Sequence, residues 1–211
     1  KGVLSVTSLR TFSTPQRPSS NQSNSTWGLD RIDQRRLPLD GRFSSGLRGK
    51  GVTVYVIDSG VDSAHSEFAG RIERGYSAIG SAGDTSDCNG HGTHVAGTIA
   101  GTSVGVAPAA TVIPVRVMNC NGRGDTLMLL RGINFVISTH AVRGGPAVAN
   151  LSLGWNGPEP LVDKAIRSMI ARGITVVVAA GNSSTNACFS SPARVASAIT
   201  VAASDSSDIQ S

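Results

Sequence analysis

Aromatic residues are scarce in this sequence. Phe, Trp and Tyr together make up 4% of its 211 residues, whereas glycine occurs 25 times. This combination is typical of a parallel α/β sheet, in which small and branched aliphatic side chains pack and backbones approach one another closely. No apolar run approaches the roughly 18 residues of a membrane-spanning helix, so we expect no membrane partner.

Concentrated positive charge is also absent. The formal net charge is +5, and the basic residues either lie near the start of the chain or are scattered beyond it. Those near the start are Arg31, Arg35, Arg36, Arg42, Arg48 and Lys50. No basic stripe interleaved with aromatic residues emerges, so we do not expect a nucleic-acid partner.

The first 26 residues differ in composition from the rest. A short apolar segment is followed by a stretch rich in Pro, Gln, Ser and Asn, which cannot bury enough apolar area to offset the entropy lost on ordering. We therefore expect a terminal segment with a linker at residues 1–26 and one compact domain at residues 27–211. Because the chain begins at Lys1, without Met or an apolar leader, we expect a removed leader or a longer parent protein.

Short apolar runs alternate with helical segments from residue 51 onward. The predicted strands are residues 51–58, 111–118, 148–154, 174–181 and 198–204, and the predicted helices are residues 91–101, 125–142 and 158–173. In the middle helix, apolar residues recur at steps of three and four, which predicts one buried face. These residues are Leu127, Leu130, Ile133 and Ile137. Such alternation predicts an α/β three-layer sandwich with a mainly parallel sheet, helices on both faces and a site at the carboxyl ends of the strands.

Two polar residues lie where such a site is expected. Asp58 directly follows the first predicted strand, although Asp is also common in strand-to-loop turns without a function. His91 precedes a predicted helix, whose amino end favours the neutral imidazole that a general base needs. Two other interpretations of His91 are a helix cap and a metal site with Cys88 and His94, although no second ligand pair with metal-site spacing follows.

The two segments around these residues resemble a known family. "VYVIDSGVDSAHSEFAGRI" and "DCNGHGTHVAGTIAG" are similar to the Asp and His motifs of the subtilisin-like serine proteases, or subtilases, and in particular of their proteinase K-like branch. The resemblance covers about residues 27–211, and the order and spacing of Asp58 and His91 fit the family template. It implies a secreted, monomeric serine endopeptidase that acts on proteins or peptides, with Asp58 and His91 in its catalytic triad and His94 as a buried structural residue.

The resemblance also assigns roles outside the triad. "VVVAAGN" is similar to the segment that ends in the oxyanion-hole residue, here Asn182. "NGRG" and "ANLSLG" resemble the two walls between which an extended substrate binds as an added strand. The assigned wall residues are Gly122, Arg123, Gly124, Ser152, Leu153 and Gly154. Since the strand at residues 151–154 offers no charge, apolar or aromatic residues are expected before the scissile bond. Arg123 departs from the small residue usual in the family and predicts a preference for acidic side chains upstream.

The nucleophile is expected outside this sequence. Ser103 follows Gly-Thr as in the family motif, but the Met and Ala that follow the nucleophile in that motif are missing. Ser103 also comes about one helix length after His91, roughly 18 Å away. The template interval predicts the serine near position ~245, beyond Ser211. The chain would then be the N-terminal part of a catalytic domain, inactive alone.

The resemblance further implies a disulfide, a calcium ion and a propeptide. Cys88 and Cys120 match a disulfide of the secreted enzymes, while Cys188 is either free or paired with a downstream partner. The carbonyls of Ala196 and Ala198 match a structural calcium site whose carboxylate ligand would follow Ser211, and no cofactor is expected for the chemistry. "KGVLSVTSLRTF" resembles the last strand of an inhibitory propeptide, with self-cleavage expected within about residues 13–26.

Two rival functions remain to be weighed. A subtilase fold without its serine would be an inactive binding or regulatory module, although Asp58, His91 and Asn182 would then have no task. A nucleotide-binding α/β protein is the other alternative. Its Gly-x-Gly-x-x-Gly turn is absent after the first predicted strand, where the sequence reads Asp-Ser-Gly-Val-Asp.

Overall fold

The computed structural model describes residues 22–23 and 25–210 of the chain. Its elements are β1 (Gln22–Ser23), α1 (Trp27–Asp33), β2 (Arg42–Phe43), β3 (Thr53–Asp58), β4 (Tyr76–Ser77), α2 (His91–Ala100), β5 (Thr111–Arg116), α3 (Thr126–Arg143), β6 (Ala147–Leu151), α4 (Pro160–Ile170), β7 (Ile174–Ala179), a short 3-10 helix (Ala187–Phe189) and β8 (Ile199–Val201). The expected propeptide strand and most of the expected linker lie outside the described residues.

Six parallel strands form the central sheet, in the order β4-β5-β3-β6-β7-β8. All five strands predicted from apolar runs are present, as are the three predicted helices. The sequence did not predict α1, the two-residue strand β4, or the small antiparallel pair of β1 and β2, because segments this short carry too little periodicity. No helix within the described ranges is long and apolar enough to cross a membrane.

Both faces of the sheet are covered, as the alternation along β3 demonstrates. Tyr55 and Ile57 point into a buried cluster with the inner faces of α3 and α4. Val54 and Val56, on the other face, pack against α2 through Ala96 and its neighbours. All four β3 side chains are at most 4% exposed, which explains why the strand is apolar throughout rather than alternating. The predicted three-layer α/β arrangement is confirmed.

The buried face of α3 differs from the predicted one. Leu127 is 56% exposed, whereas Leu129, Gly132, Ile133 and Val136 are buried. The reason is Gly132: a Cβ atom there would lie 2.7 Å from a methyl group of Val117. The helix lies closest to the sheet where it has no side chain, so the buried face is rotated from the predicted one. Ile133 is buried as predicted, Leu130 and Ile137 are half-buried, and Leu127 is exposed.

The amino end of α2 is held by a carboxylate from the preceding loop. Asp87 accepts hydrogen bonds from the backbone amides of Asn89, Gly90 and Thr93, at 2.8 to 3.0 Å. It also accepts hydrogen bonds from the hydroxyls of Ser59 and Thr93. The N-cap residue itself, Gly90, has no side chain to offer. Asp87 therefore satisfies the free amide of Thr93 in the first turn of α2 and lies at the positive end of the helix dipole.

These contacts change the acidity of Asp87. Partial burial raises the pKa of its carboxyl group, but the hydrogen bonds from Thr93, Gly90 and Ser59 outweigh burial and lower the pKa to about 2. An unperturbed aspartate has a pKa of about 3.9. The ionised carboxylate therefore stabilises the folded state above about pH 4, and this contribution is lost as the pH falls toward about 2.

The start of α2 also lies unusually close to the end of β3. Gly92, the second residue of the helix, is buried, and its amide donates to the Ser59 hydroxyl at 3.0 Å. A Cβ atom at Gly92 would overlap the Gly60 carbonyl oxygen and lie 3.1 Å from the Cβ of Asp58. Only glycine lets the helix begin at this distance from the sheet edge.

Replacing Asp87 with Asn is expected to lower the free energy of unfolding by about 1–2 kcal/mol at neutral pH, because an amide has one accepting oxygen instead of two. Urea denaturation followed by circular dichroism, repeated between pH 2 and pH 7, would measure this. The difference should shrink as the pH falls below about 4. Asp40→Asn, which changes an exposed carboxylate with one local hydrogen bond, is the control. An equal loss in both variants would contradict the role of Asp87.

Replacing Gly92 with Ala is expected to destabilise the fold by about 1–3 kcal/mol, because the added methyl group forces α2 away from β3. Gly28→Ala is a matched control, since Gly28 is also the second residue of a helix and a Cβ there meets nothing within 4 Å. That variant should be neutral or slightly stabilising. Thermal denaturation of both variants measures the effects. Equal melting temperatures for Gly92→Ala and Gly28→Ala would contradict the close approach of α2 to β3.

Candidate active site

The side chains of Asp58 and His91 are in direct contact. Oδ1 of Asp58 lies 2.7 Å from Nδ1 of His91. Asp58 is the last residue of β3 and is fully buried, whereas His91 is the first residue of α2 and its side chain is 47% exposed. The arrangement places one imidazole nitrogen on a buried carboxylate and leaves Nε2 as the other ring atom that can exchange a proton.

Burial dominates the electrostatics of Asp58. Removal from water raises the pKa of its carboxyl group above the ordinary value, and the hydrogen bonds from His91 and Ser59 oppose this rise without cancelling it. Oδ1 accepts the Ser59 amide at 2.7 Å. Oδ2 is buried and has no hydrogen-bond partner among the described residues. The carboxylate is therefore held in one orientation, toward the imidazole.

Two residues that were not predicted from the sequence, Ser59 and Asp87, position this pair. The Ser59 hydroxyl accepts the amide of Gly92 and donates to Asp87 at 2.9 Å. A hydrogen-bonded path thus links the end of β3, the start of α2 and the loop before it. The signal for Asp87 was present in the sequence, since an Asp a few residues before a predicted helix is a common capping residue.

The predicted wall residues surround one cleft. His91 and the segments 122–124 and 152–154 line a cavity of about 500 Å³, together with apolar side chains that include Met118 and Trp155. Segment 122–124 follows β5 and segment 152–154 follows β6. These strands flank β3 on either side in the sheet. The cleft therefore opens at the carboxyl ends of the strands, as expected for an α/β fold.

Several backbone groups of the two walls have no hydrogen-bond partner among the described residues. Arg123 bonds through its own amide and carbonyl to Asn119, at 3.1 and 2.8 Å. By contrast, within the described residues, neither the Gly122 carbonyl nor the amide and carbonyl of Gly124 has a partner. Leu153 on the opposite wall likewise makes no backbone hydrogen bond there. A row of unpaired backbone N–H and C=O groups is typical of the exposed edge of a β-sheet.

Asn182 lies in a second, adjacent cavity of about 270 Å³. This cavity shares segment 152–155 with the first one, and its other lining residues are Asn156 and residues of segments 179–183 and 190–193. Antiparallel backbone bonds between Trp155 and Ser191 join its two sides. Asn182 is exposed and follows β7 closely. No Asp, Glu, Lys or Arg side chain is among the lining residues.

A disulfide bond joins Cys88 to Cys120. It connects the loop before His91 to the loop that carries the wall at residues 122–124. The amide group of Asn89 adds a hydrogen bond to the Cys120 carbonyl at 3.0 Å. The two loops are therefore anchored to each other beside the cleft. The bond also removes Cys88 from the metal site considered with His91 and His94. Cys188 is exposed and has no disulfide partner among the described residues.

Two other sequence predictions, for Ser103 and His94, concern residues away from the cleft. Ser103 lies beyond the carboxyl end of α2, where its amide and hydroxyl donate to Glu67, so it does not approach the imidazole at the other end of the helix. His94 is exposed, so the prediction of a buried structural histidine is wrong. The reason is its position two residues from the buried Gly92 and from the buried Ala96, which places it on the opposite side of α2.

Ala196 and Ala198 lie in the turn that leads into β8, Ala196 exposed and Ala198 half-buried. Their carbonyl oxygens are of the chemical type that Ca²⁺ binds. Between residues 25 and 210, no group of three or more His, Cys, Asp or Glu side chains is arranged to hold a metal ion. A calcium site here would thus need its carboxylate from elsewhere in the protein.

Comparison with known proteins connects this geometry to a family. A model described as the subtilase family matches residues 49–211. An extracellular serine proteinase of Thermus sp. (strain Rt41A) is 54% identical over 187 residues, which are 89% of this chain and 45% of that protein. Alkaline serine exoprotease A of Vibrio alginolyticus is 49% identical over 192 residues, 91% of this chain and 35% of that protein. The chain thus spans less than half the length of these relatives.

The fold comparison agrees with the sequence comparison. The crystal structure of a cold adapted subtilisin-like serine proteinase superimposes with a TM-score of 0.86 at 49% sequence identity. The match covers 90% of this chain and 68% of that one. A shared fold at this level of identity, together with a family match over most of the chain, identifies the family. The chain belongs to the subtilase family of serine proteases.

Proposed function

We propose that the full-length protein is a secreted serine endopeptidase that cleaves proteins and peptides. The observation that carries this proposal is the 2.7 Å contact between the buried Asp58 carboxylate and the imidazole of His91, at the edge of a peptide-sized cleft. The third member of the triad is a serine that follows Ser211 in the full-length protein. Membership of the subtilase family and relatives about twice as long as this chain support that position.

His91 acts as the general base in this mechanism. Asp58 accepts a hydrogen bond from the Nδ1–H group and so fixes the tautomer in which Nε2 is free to take the proton of the serine hydroxyl. The imidazolium that forms is stabilised by the carboxylate beside it, which burial shields from water. His91 then returns the proton to the amine that leaves.

The substrate binds as an extended strand between the two walls. The free backbone groups of Gly122 and Gly124 on one side, and of Leu153 and Gly154 on the other, supply hydrogen bonds that do not depend on the substrate's sequence. The side chain before the scissile bond enters the second cavity, which carries no charged lining residue. An apolar or aromatic residue is therefore favoured at that position.

The Asn182 side chain donates a hydrogen bond to the oxyanion that develops during attack. Its place after β7, in the cavity that shares segment 152–155 with the main cleft, supports this role. The donor gains strength as negative charge forms on the carbonyl oxygen, so it stabilises the transition state more than the bound substrate.

The remaining proposals concern the environment of the enzyme. The disulfide between Cys88 and Cys120 suits an oxidising compartment, and one relative is named an extracellular proteinase. We propose a secreted monomer whose own propeptide, at the start of the chain, inhibits it. Ala196 and Ala198 would offer carbonyl ligands to a stabilising calcium ion, and the chemistry itself needs no cofactor.

Replacing His91 with Ala, or Asp58 with Asn, is expected to lower kcat about 10⁴-fold or more in the full-length protein. Hydrolysis of a fluorogenic peptide blocked at both termini would measure this, because only an endopeptidase cleaves such a peptide. A fluorophosphonate should label one serine in the wild type, which mass spectrometry would locate. His94→Ala, on the same helix but exposed and outside the cleft, is the control. An unlabelled, inactive wild type would indicate a binding module instead.

Replacing Asn182 with Ala is expected to lower kcat about 10²- to 10³-fold and leave KM nearly unchanged, since the lost hydrogen bond forms mainly in the transition state. Asn156→Ala removes an amide from the same cavity, where it accepts a hydrogen bond from Ser183, and should affect kcat far less. Steady-state kinetics of both variants would measure these changes in kcat and KM. A rise in KM with an unchanged kcat for Asn182→Ala would assign the residue to substrate binding.

A further inference from the structure

The main cleft contains one charged side chain without a partner among the described residues. Apart from His91, the charged residues that line it are Arg123 and Asp125. The Asp125 carboxylate is already engaged as the N-cap of α3, where it accepts the amide of Met128 at 2.7 Å. The Arg123 guanidinium forms neither an ion pair nor a hydrogen bond in the described part of the chain. Arg123 is therefore a positively charged group of the cleft that no described side chain engages.

The backbone that carries this charge is held in place. The side-chain oxygen of Asn119 accepts hydrogen bonds from the backbone amides of Arg123 and Asn121. The backbone amide of Asn119 donates a hydrogen bond to the Arg123 carbonyl. The neighbouring Cys120 is tied by its disulfide to the loop before His91. The Cα atom of Arg123 is thus fixed relative to the cleft, while its exposed side chain is free to turn toward a ligand. A fixed anchor reduces the entropy lost when the side chain forms an ion pair.

We propose that Arg123 selects substrates that carry an acidic side chain two to four residues before the scissile bond. This inference rests on the proposed function, which places the residue before the scissile bond in the second cavity. A peptide that leaves this cavity along segment 152–154 passes between the two walls, so the residues beside Arg123 are those further upstream. A carboxylate there meets the guanidinium with the planar geometry that favours paired hydrogen bonds.

The size of the effect follows from the exposure of the site. An ion pair between exposed side chains changes an equilibrium or rate ratio by about two- to fivefold and is screened by salt. The wild type should therefore prefer Glu over Gln, at one of the three upstream positions, by about that factor in kcat/KM at low salt. The preference should diminish when the salt concentration rises from about 0.02 M to about 0.5 M.

The test uses pairs of quenched fluorescent peptides that differ only in Glu or Gln at one upstream position, cleaved by the full-length protein. Arg123→Ser should bring the Glu to Gln ratio to about one. Arg123→Lys should keep most of it, because the charge remains. Arg123→Glu should favour Lys over Gln instead. Arg131→Ser, which removes an exposed arginine of α3 outside the cleft, should leave the wild-type ratio unaltered.

Binding provides a readout that does not require catalysis. Fluorescence anisotropy with His91→Ala, with and without Arg123→Ser, should give the same preference as a ratio of Kd values. The inference would be overturned if the Glu and Gln peptides were cleaved and bound equally well at all three positions. A Glu preference that persists in Arg123→Ser would overturn it too. Failure of the proposed function would look different, because Gln peptides would remain uncut by the wild type while the Kd ratios still reported on Arg123.

Discussion

The close contact between the amino end of α2 and the carboxyl end of β3 is the constraint on which the rest of the site depends. It brings together Asp58 and His91, which are 33 residues apart in the sequence. The contact needs a glycine at position 92, because any side chain would occupy the space of the Gly60 carbonyl. It also needs Asp87 and Ser59, whose hydrogen bonds satisfy the amides that the first turn of α2 leaves free. Packing and polar satisfaction therefore agree at this one junction.

Two aspartates at this junction act on stability in opposite directions. The pKa of Asp58 is raised by burial, so ionisation of its carboxyl group above that pKa destabilises the folded state. The pKa of Asp87 is lowered, so its ionisation stabilises the folded state above about pH 4. The destabilising Asp58 carboxylate, which is proposed to orient the catalytic base, thus lies close to the Asp87 carboxylate, which stabilises the start of α2. A site that costs stability is supported by its immediate neighbours.

The walls of the cleft are built differently from this junction. They are loops that follow β5 and β6, and their unpaired backbone groups are directed by a few local contacts, namely those of Asn119 and the disulfide of Cys120. Rigid strands set where the loops begin, and the loops supply the groups that would meet a substrate. This division explains how one scaffold could keep its proposed catalytic pair while a residue such as Arg123 sets the proposed preference for acidic substrates.

The sequence by itself determined the strands, the main helices and the family. Apolar runs bounded by turns predicted all five longer strands, and two motifs sufficed for the resemblance to subtilases. Only the tertiary structure decided which face of α3 is buried, since Gly132 allows a close approach that periodicity does not register. Likewise, only the structure identified Asp87 and Ser59 as positioning residues and Arg123 as unpaired in the described cleft. Periodicity reports which segments can bury a face, whereas hydrogen-bond partners and distances depend on contacts between segments far apart in the chain.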